Sequence, residues 1–146
     1  MIVVADSGPL HYLILLEHVD LLRRLYAQVL VPTIVAGELT TAGAPDSVRE
    51  WMANPPIWVD VRPVAADAIS RVTDDLDLGA RAAIALAETV AADLLLIDEA
   101  AGRAEAKRRR LRVTGTLGVL RAGAEQGEVN VPDLIERLKK HDLLPG

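Results

Sequence analysis

The chain contains no cysteine. That removes disulfides, thiol nucleophiles and thiolate metal sites together, and it agrees with a reducing compartment. There is no phenylalanine, and there are only two tryptophans and two tyrosines. A core must therefore come from Leu, Val, Ile and Ala, and base stacking is restricted to Trp51, Trp58, Tyr12 or Tyr26. Positive charge is not in excess either: 16 Lys and Arg against 21 Asp and Glu leave a formal charge of −5. This excludes a basic coat for nucleic acid and a polybasic membrane anchor, but not a nucleic-acid enzyme whose acids hold metal ions. The apolar runs at 13–16 and 94–97 fall far short of the ~20 residues of a membrane helix. The first five residues are apolar but meet Asp6 at once, with no basic leader, so a cytoplasmic protein is expected.

What is present suffices for a packed interior. The 146 residues are 51% hydrophobic, which fits one domain spanning 1–146. Short apolar runs alternate with longer helical stretches. Residues 2–5 and 94–97 are uninterrupted strand formers, as in strands covered on both faces. Val29-Leu30-Val31 and Arg112-Val113-Thr114 are shorter runs of the same kind, and Trp58-Val59-Asp60-Val61 alternates like an edge strand. Between them the spacing predicts helices over 10–17, 21–26, 33–40, 47–53, 79–92, 99–110, 115–125 and 132–141, with Ser7 available as a cap for the first. Strands separated by helices imply parallel βαβ units and a sheet with helices on both faces.

Two acids take equivalent places in this plan. Asp6 follows the first strand run and Asp98 follows the run at 94–97. In an open parallel sheet the C-terminal strand ends share one edge, and ligands bind in the crevice there. If the two strands are neighbours, both carboxylates enter one pocket. Close carboxylates repel unless one takes a proton or a cation lies between them. An oxygen-only ligand set favours Mg²⁺, with Mn²⁺ as an alternative. Glu38 is a third candidate, one helical turn beyond the core-facing pair Ile34 and Val35. Each acid also has a plainer reading, as a helix cap or a solvated charge.

The segments Val-Ala-Asp-Ser-Gly-Pro-Leu, Val-Leu-Val-Pro-Thr-Ile-Val-Ala-Gly-Glu-Leu and Ala-Asp-Leu-Leu-Leu-Ile-Asp-Glu, in this order and spacing, resemble a PIN domain. The run Val-Thr-Gly-Thr-Leu-Gly-Val-Leu, residues 113–120, resembles a branch related to VapC-type toxins. The resemblance covers residue 2 to about residue 138. It implies an α/β fold, an α/β/α sandwich around a central, mainly parallel sheet of four to five strands. It also implies a metal-dependent endoribonuclease, the toxin of a type II toxin–antitoxin pair, with Mg²⁺ or Mn²⁺ as cofactor. RNA, an antitoxin protein and a second copy of the chain are the implied partners. Asp6, Glu38 and Asp98 fall on three acids of the family and are the expected catalytic and metal-binding residues. The remaining acid should stand at position 80, within Leu78-Gly79-Ala80-Arg81, where this chain has Ala. Asp77, preceded by Asp74 and Asp75, is the candidate substitute, and Arg81 adds a positive charge nearby. The loss motivates an alternative: a catalytically degenerate PIN domain that binds RNA or protein.

If the site works, ions held by Asp6, Glu38 and Asp98 activate water and clamp phosphate oxygens, and no His is needed as base. His11, His18 and His141 are read as non-catalytic. Ser7, Thr114 and Thr116 can hold a phosphate or a water near the metal, although Thr116 can equally cap the following helix. Arg103, Lys107 and Arg110 follow i, i+4, i+7 spacing and can attract an RNA backbone. The same basic run can instead be a solvated face, with Glu99–Arg103 and Glu105–Arg109 forming i, i+4 pairs. The apolar stretches at 13–16 and 21–25 suit either a dimer face or the core. A phosphoacceptor receiver domain is disfavoured because no suitable Lys follows 112–114. A dinucleotide fold is disfavoured because no Gly-x-Gly-x-x-Gly follows the first strand.

Overall fold

The structure is a computed structural model and describes residues 1–143. Five strands form one sheet: β1 (Val3–Ala5), β2 (Val29–Pro32), β3 (Val59–Arg62), β4 (Leu94–Leu96) and β5 (Val113–Thr114). Their order is β3-β2-β1-β4-β5, and every pairing is parallel. β1 is central and β3 is an edge, as its alternating sequence predicts.

Uninterrupted apolar strands are explained by two cores, one on each face. Val3, Ala5, Val29, Val31 and Leu96 enter the first core, while Val4, Leu30, Leu95 and Ile97 enter the second. Successive side chains point to opposite faces, and both faces are covered. The first face is packed by α1 (Ser7–Leu15), α2 (Leu21–Tyr26), α4 (Asp46–Ala53), α8 (Thr116–Glu125) and α9 (Val131–Lys140). The second is packed by α5 (Ala66–Ser70), α6 (Leu78–Thr89) and α7 (Ala100–Arg108). Helix α3 (Thr33–Leu39) serves both, with Val35 and Leu39 in the first core and Ile34 against the second.

Several local expectations change. Asp6, not Ser7, caps α1: its carboxylate accepts from the Ser7 N–H at 2.8 Å, and Ser7 is the first helical residue. Helix α5 has no counterpart in the sequence reading. It is one short turn with only Ile69 buried and no side-chain cap, too little to print a periodic pattern. α7 ends at Arg108, and Arg110 has φ 65°, so Arg110 leaves the helical face shared by Arg103 and Lys107. In the 13–16 and 21–25 stretches Leu13, Leu16 and Leu22 are fully buried, whereas Leu15 and Leu25 are partly buried against the first core. Trp51 and Trp58 pack on each other at 5.9 Å between ring centres, against the first core. No helix among the described residues is long and apolar enough to cross a membrane.

Candidate active site

In a parallel βαβ sheet each helix begins just past a strand's C-terminal end, so helix N-termini collect at one edge of the sheet. β1 and β4 are the adjacent strands at which the chain order reverses, with Ala5 opposite Leu96 in register. The Asp6 N–H continues the ladder by donating to the Leu96 carbonyl at 2.9 Å. Asp6 therefore emerges at the crevice where such sheets bind ligands. Asp98 leaves β4 two residues beyond its end.

Three helix N-termini meet the acids at this edge. Asp6 caps α1. Asp77 caps α6, accepting from the Ala80 N–H at 2.8 Å. Asp98 is held at the start of α8: the Thr116 N–H donates to its Oδ1 at 2.6 Å and the Thr116 hydroxyl to its Oδ2 at 2.6 Å. Thr116 is thus the first residue of α8 and a donor to Asp98, not the cap of its own helix. Glu38 reaches in from α3 and lies on the backbone of α6. A Cβ at Gly79 would stand 1.7 Å from Glu38 Oε1, so the absence of a side chain there leaves room for the carboxylate. The partial positive charge of these helix ends offsets part of the repulsion among the acids.

The offset is incomplete. Asp6 is only 6% exposed. Burial, against the hydrogen bond from Ser7, pushes its pKa up to about 7, and the charges of Asp77, Glu38 and Glu99 push in the same direction. Glu38 is raised by burial and then by Asp77. Asp77 therefore lies within the field of both acids while also capping α6. Glu99 was not singled out from the sequence. Its signal was present, since it is a second acid directly after the β4 run, but its place at the start of α7 reads equally as an ordinary helix-start acid.

Ala80 is fully buried in the second core, so no carboxylate comes from that position. Arg81 turns away from the acids and donates to the Ile69 carbonyl at 3.2 Å, with its Nε buried and unpaired. Among the described residues, no three His, Cys, Asp or Glu side chains are gathered into a ready-made metal cage. The donor chemistry nevertheless fits a hard divalent cation. The donors are all oxygens, and the most buried of them is a carboxylate with no protein cation among the charges that shift it.

Two clefts flank this centre, and Tyr12 lines both. One, of about 410 Å³, opens over Ser7, His11 and Glu38. Burial there lowers the pKa of His11. The other, of about 310 Å³, opens over Asp98, Arg103 and the start of α8. Arg103 does not pair with Glu99; its guanidinium lies beside Gly115, near Asp98. Arg108 and Arg109 are both tied to Glu105, which they hold down to about 2, and Arg109 also binds Glu88. The basic run thus divides into two structural arginines and the separately placed Arg103, Lys107 and Arg110. Thr114 sits on β5 with its hydroxyl against Gly118.

No curated protein matches the sequence. Among solved structures, VapC20 of Mycobacterium tuberculosis, a toxin that cleaves the sarcin–ricin loop, is similar. It matches with a TM-score of 0.52 and 15% identity, over 70% of this chain and 93% of that one. The sequence matches DUF3368, a PIN domain, over residues 2–144, nearly its whole length. The chain belongs to the PIN-domain family.

Proposed function

We propose that the chain is a divalent-cation-dependent endoribonuclease of the toxin class, with Mg²⁺ or Mn²⁺ held by Asp6, Glu38 and Asp98 and with Asp77 in place of the acid absent at Ala80. The observation that carries this reading is Asp6: a carboxylate buried at the crevice of the sheet, pushed up to about 7, with acids for neighbours. Keeping such a group charged is costly unless a cation joins it. Membership of a family of nucleases and the likeness to a toxin that cuts RNA supply the reaction class. When bound, the ion lowers the pKa of water and stabilises charge on the phosphate.

The remaining chemistry belongs to the chain. Asp6 is fixed by the α1 backbone and the β1–β4 ladder, so its direction does not depend on solvent. Thr116 holds both oxygens of Asp98 and thereby locks its rotamer. Glu38 is less constrained: its residue is exposed, and its carboxylate rests on Gly79 without a hydrogen-bond donor among the described residues. Arg103 and exposed Lys107 stand on the same face of α7 and draw the phosphate backbone towards the clefts. An antitoxin protein that covers the clefts, and a homodimer in the cytoplasm, complete the proposal.

Cleavage of a labelled RNA is measured with Mg²⁺ or Mn²⁺, with chelator, and for Asp6→Asn. Cleavage in metal alone, lost in both controls, is expected. Cleavage that survives chelation and Asp6→Asn would refute the proposal. A second reading, binding without catalysis, is favoured by one observation: Ala80 is sealed into the core and contributes no ligand. RNA binding without turnover at any metal concentration would select it.

A further inference from the structure

Only one of the four aromatic side chains reaches the clefts. Trp51 and Trp58 are stacked on each other, and Tyr26 packs on the first core, where burial raises its pKa. Tyr12 alone stands between the two clefts, its ring braced edge-on by His11 at 4.9 Å. Leu117 and Leu143 line the smaller cleft with it. Leu117 is 55% exposed, although it sits in the first turn of a helix whose inner face is well packed. Apolar walls and a ring at the edge of an otherwise acidic centre have no role in holding a cation or a phosphate.

The same cleft is lined by a donor, Arg103. Arg103 is half-buried, and among the described residues it forms no ion pair, unlike Arg108 and Arg109 on the same helix. Its Nη1 would lie 2.9 Å from a Cβ on Gly115. Gly115 has φ −120° and ψ −170°, an extended conformation open to any residue. Glycine therefore serves clearance here, since a Cβ would also stand 2.5 Å from Asp98 Oδ1, and its absence leaves room for the carboxylate and the guanidinium at the cleft.

We infer that the cleft of Tyr12, Arg103, Leu117 and Leu143 is a base-binding subsite that takes an unpaired guanine of the RNA strand beside the catalytic acids. The ring of Tyr12 and the apolar side of Leu117 sandwich a flat base, the sequence-tolerant part of the affinity. Arg103 supplies the selectivity. Its forked donors need two adjacent acceptors, which guanine offers at O6 and N7, whereas adenine offers one acceptor beside a donor. A volume of about 310 Å³ admits a purine. The inference rests on the ribonuclease reading only for the identity of the polymer.

The test is fluorescence anisotropy with chelator present, so that binding is read without cleavage. The probes are labelled heptauridylate and the same oligomer with a single G, A or C at its centre. The expected result is that central G binds about tenfold tighter than central A or C. Arg103→Met should bring G level with A while leaving both above heptauridylate. Tyr12→Leu should weaken both purines, and Tyr12→Phe should retain the G preference, which separates stacking from folding. Four probes that bind alike, or none that binds, would overturn the inference. So would an Arg103→Met variant that weakens all four by one factor, the mark of a phosphate contact alone. An RNA-cleaving enzyme without G preference would sink the subsite and leave the nuclease standing; G-selective binding in a chain that never cleaves would do the reverse.

Discussion

Gly79→Ala separates the stability of this fold from the work of its site. A methyl at this position would lie 1.7 Å from Glu38 Oε1 and 2.7 Å from its Cδ, distances no pair of atoms tolerates. The obstacle is the far end of a flexible, exposed side chain, so Glu38 swings aside and the backbone stays. The helix then gains about 0.5–1 kcal/mol from replacing Gly by Ala near the start of α6. Against this stands the favourable placement of Glu38 over the α6 N-terminus, roughly 0.3–1 kcal/mol, itself reduced by repulsion from Asp77. The two nearly cancel, so the melting temperature should move by no more than about 4 °C. Metal affinity and cleavage should instead fall about 10- to 100-fold, the range for disturbing the surroundings of a metal site. Gly37→Ala is the control, because a Cβ there meets nothing within 4 Å and helix α3 gains the same propensity. Thermal melts, Mn²⁺ titration and cleavage rates are compared for both variants. A Gly79→Ala protein that cleaves like Gly37→Ala would refute the role given to Glu38, and a melting temperature lower by much more than 4 °C would show that Glu38 cannot step aside.

Asp6→Asn keeps a good helix cap and removes the buried charge. The Asp6 pKa is about 7 in the fold against an ordinary 3.8, so the folded state binds a proton more tightly than the unfolded one. Its contribution is fully present below about pH 4 and is lost as pH rises through 7, on the order of 4 kcal/mol in all. The variant should therefore melt higher than the parent at pH 8, with the gap shrinking at pH 5, closing below about pH 4, and narrowing when Mn²⁺ is added. A gap that does not change with pH would contradict the burial argument. Ala80→Glu supplies the acid that the resemblance expects, but at a fully buried position in the second core. Without metal it should lower stability by several kcal/mol. With Mn²⁺ it should recover more than the parent does in the same melts, and equal response to the ion in both proteins would show that the new carboxylate does not reach the site.

The sheet was legible because its strands are apolar on both sides. Residues 2–5 and 94–97 show no polar alternation, and the two cores on opposite faces of β1 and β4 are the physical reason. The acids at strand ends were legible for a related cause, since a carboxylate directly after an uninterrupted apolar run marks where the run ends. Side-chain direction was not legible. Ser7 and Asp6 are both good caps on paper, and the choice falls on Asp6 because its N–H completes the ladder to Leu96 and fixes its backbone as extended. Glu99–Arg103 has ideal pair spacing, yet Arg103 goes to Gly115, a residue brought near only by the β4–β5 pairing. Arg110 fails as a helical residue because α7 stops two positions earlier, where the Leu111 N–H turns back to the Ala106 carbonyl.

On the proposed reading, Asp77 at the same helix start compensates for the acid that the resemblance places at position 80. An acid there would extend from a helical residue whose N–H must still find a partner. In this chain the partner is the carboxylate of Asp77, three residues earlier, in the usual capping relation. One Asp therefore satisfies the α6 N-terminus and adds negative charge beside Asp6 and Glu38. The two duties compete: the oxygen bound to the Ala80 N–H is less free to meet an ion, while its partner oxygen is not so engaged. A cation drawn to Asp6 would thus find weaker help from α6 than a dedicated carboxylate gives, which favours an ion held loosely and a dependence on its concentration that Ala80→Glu should steepen.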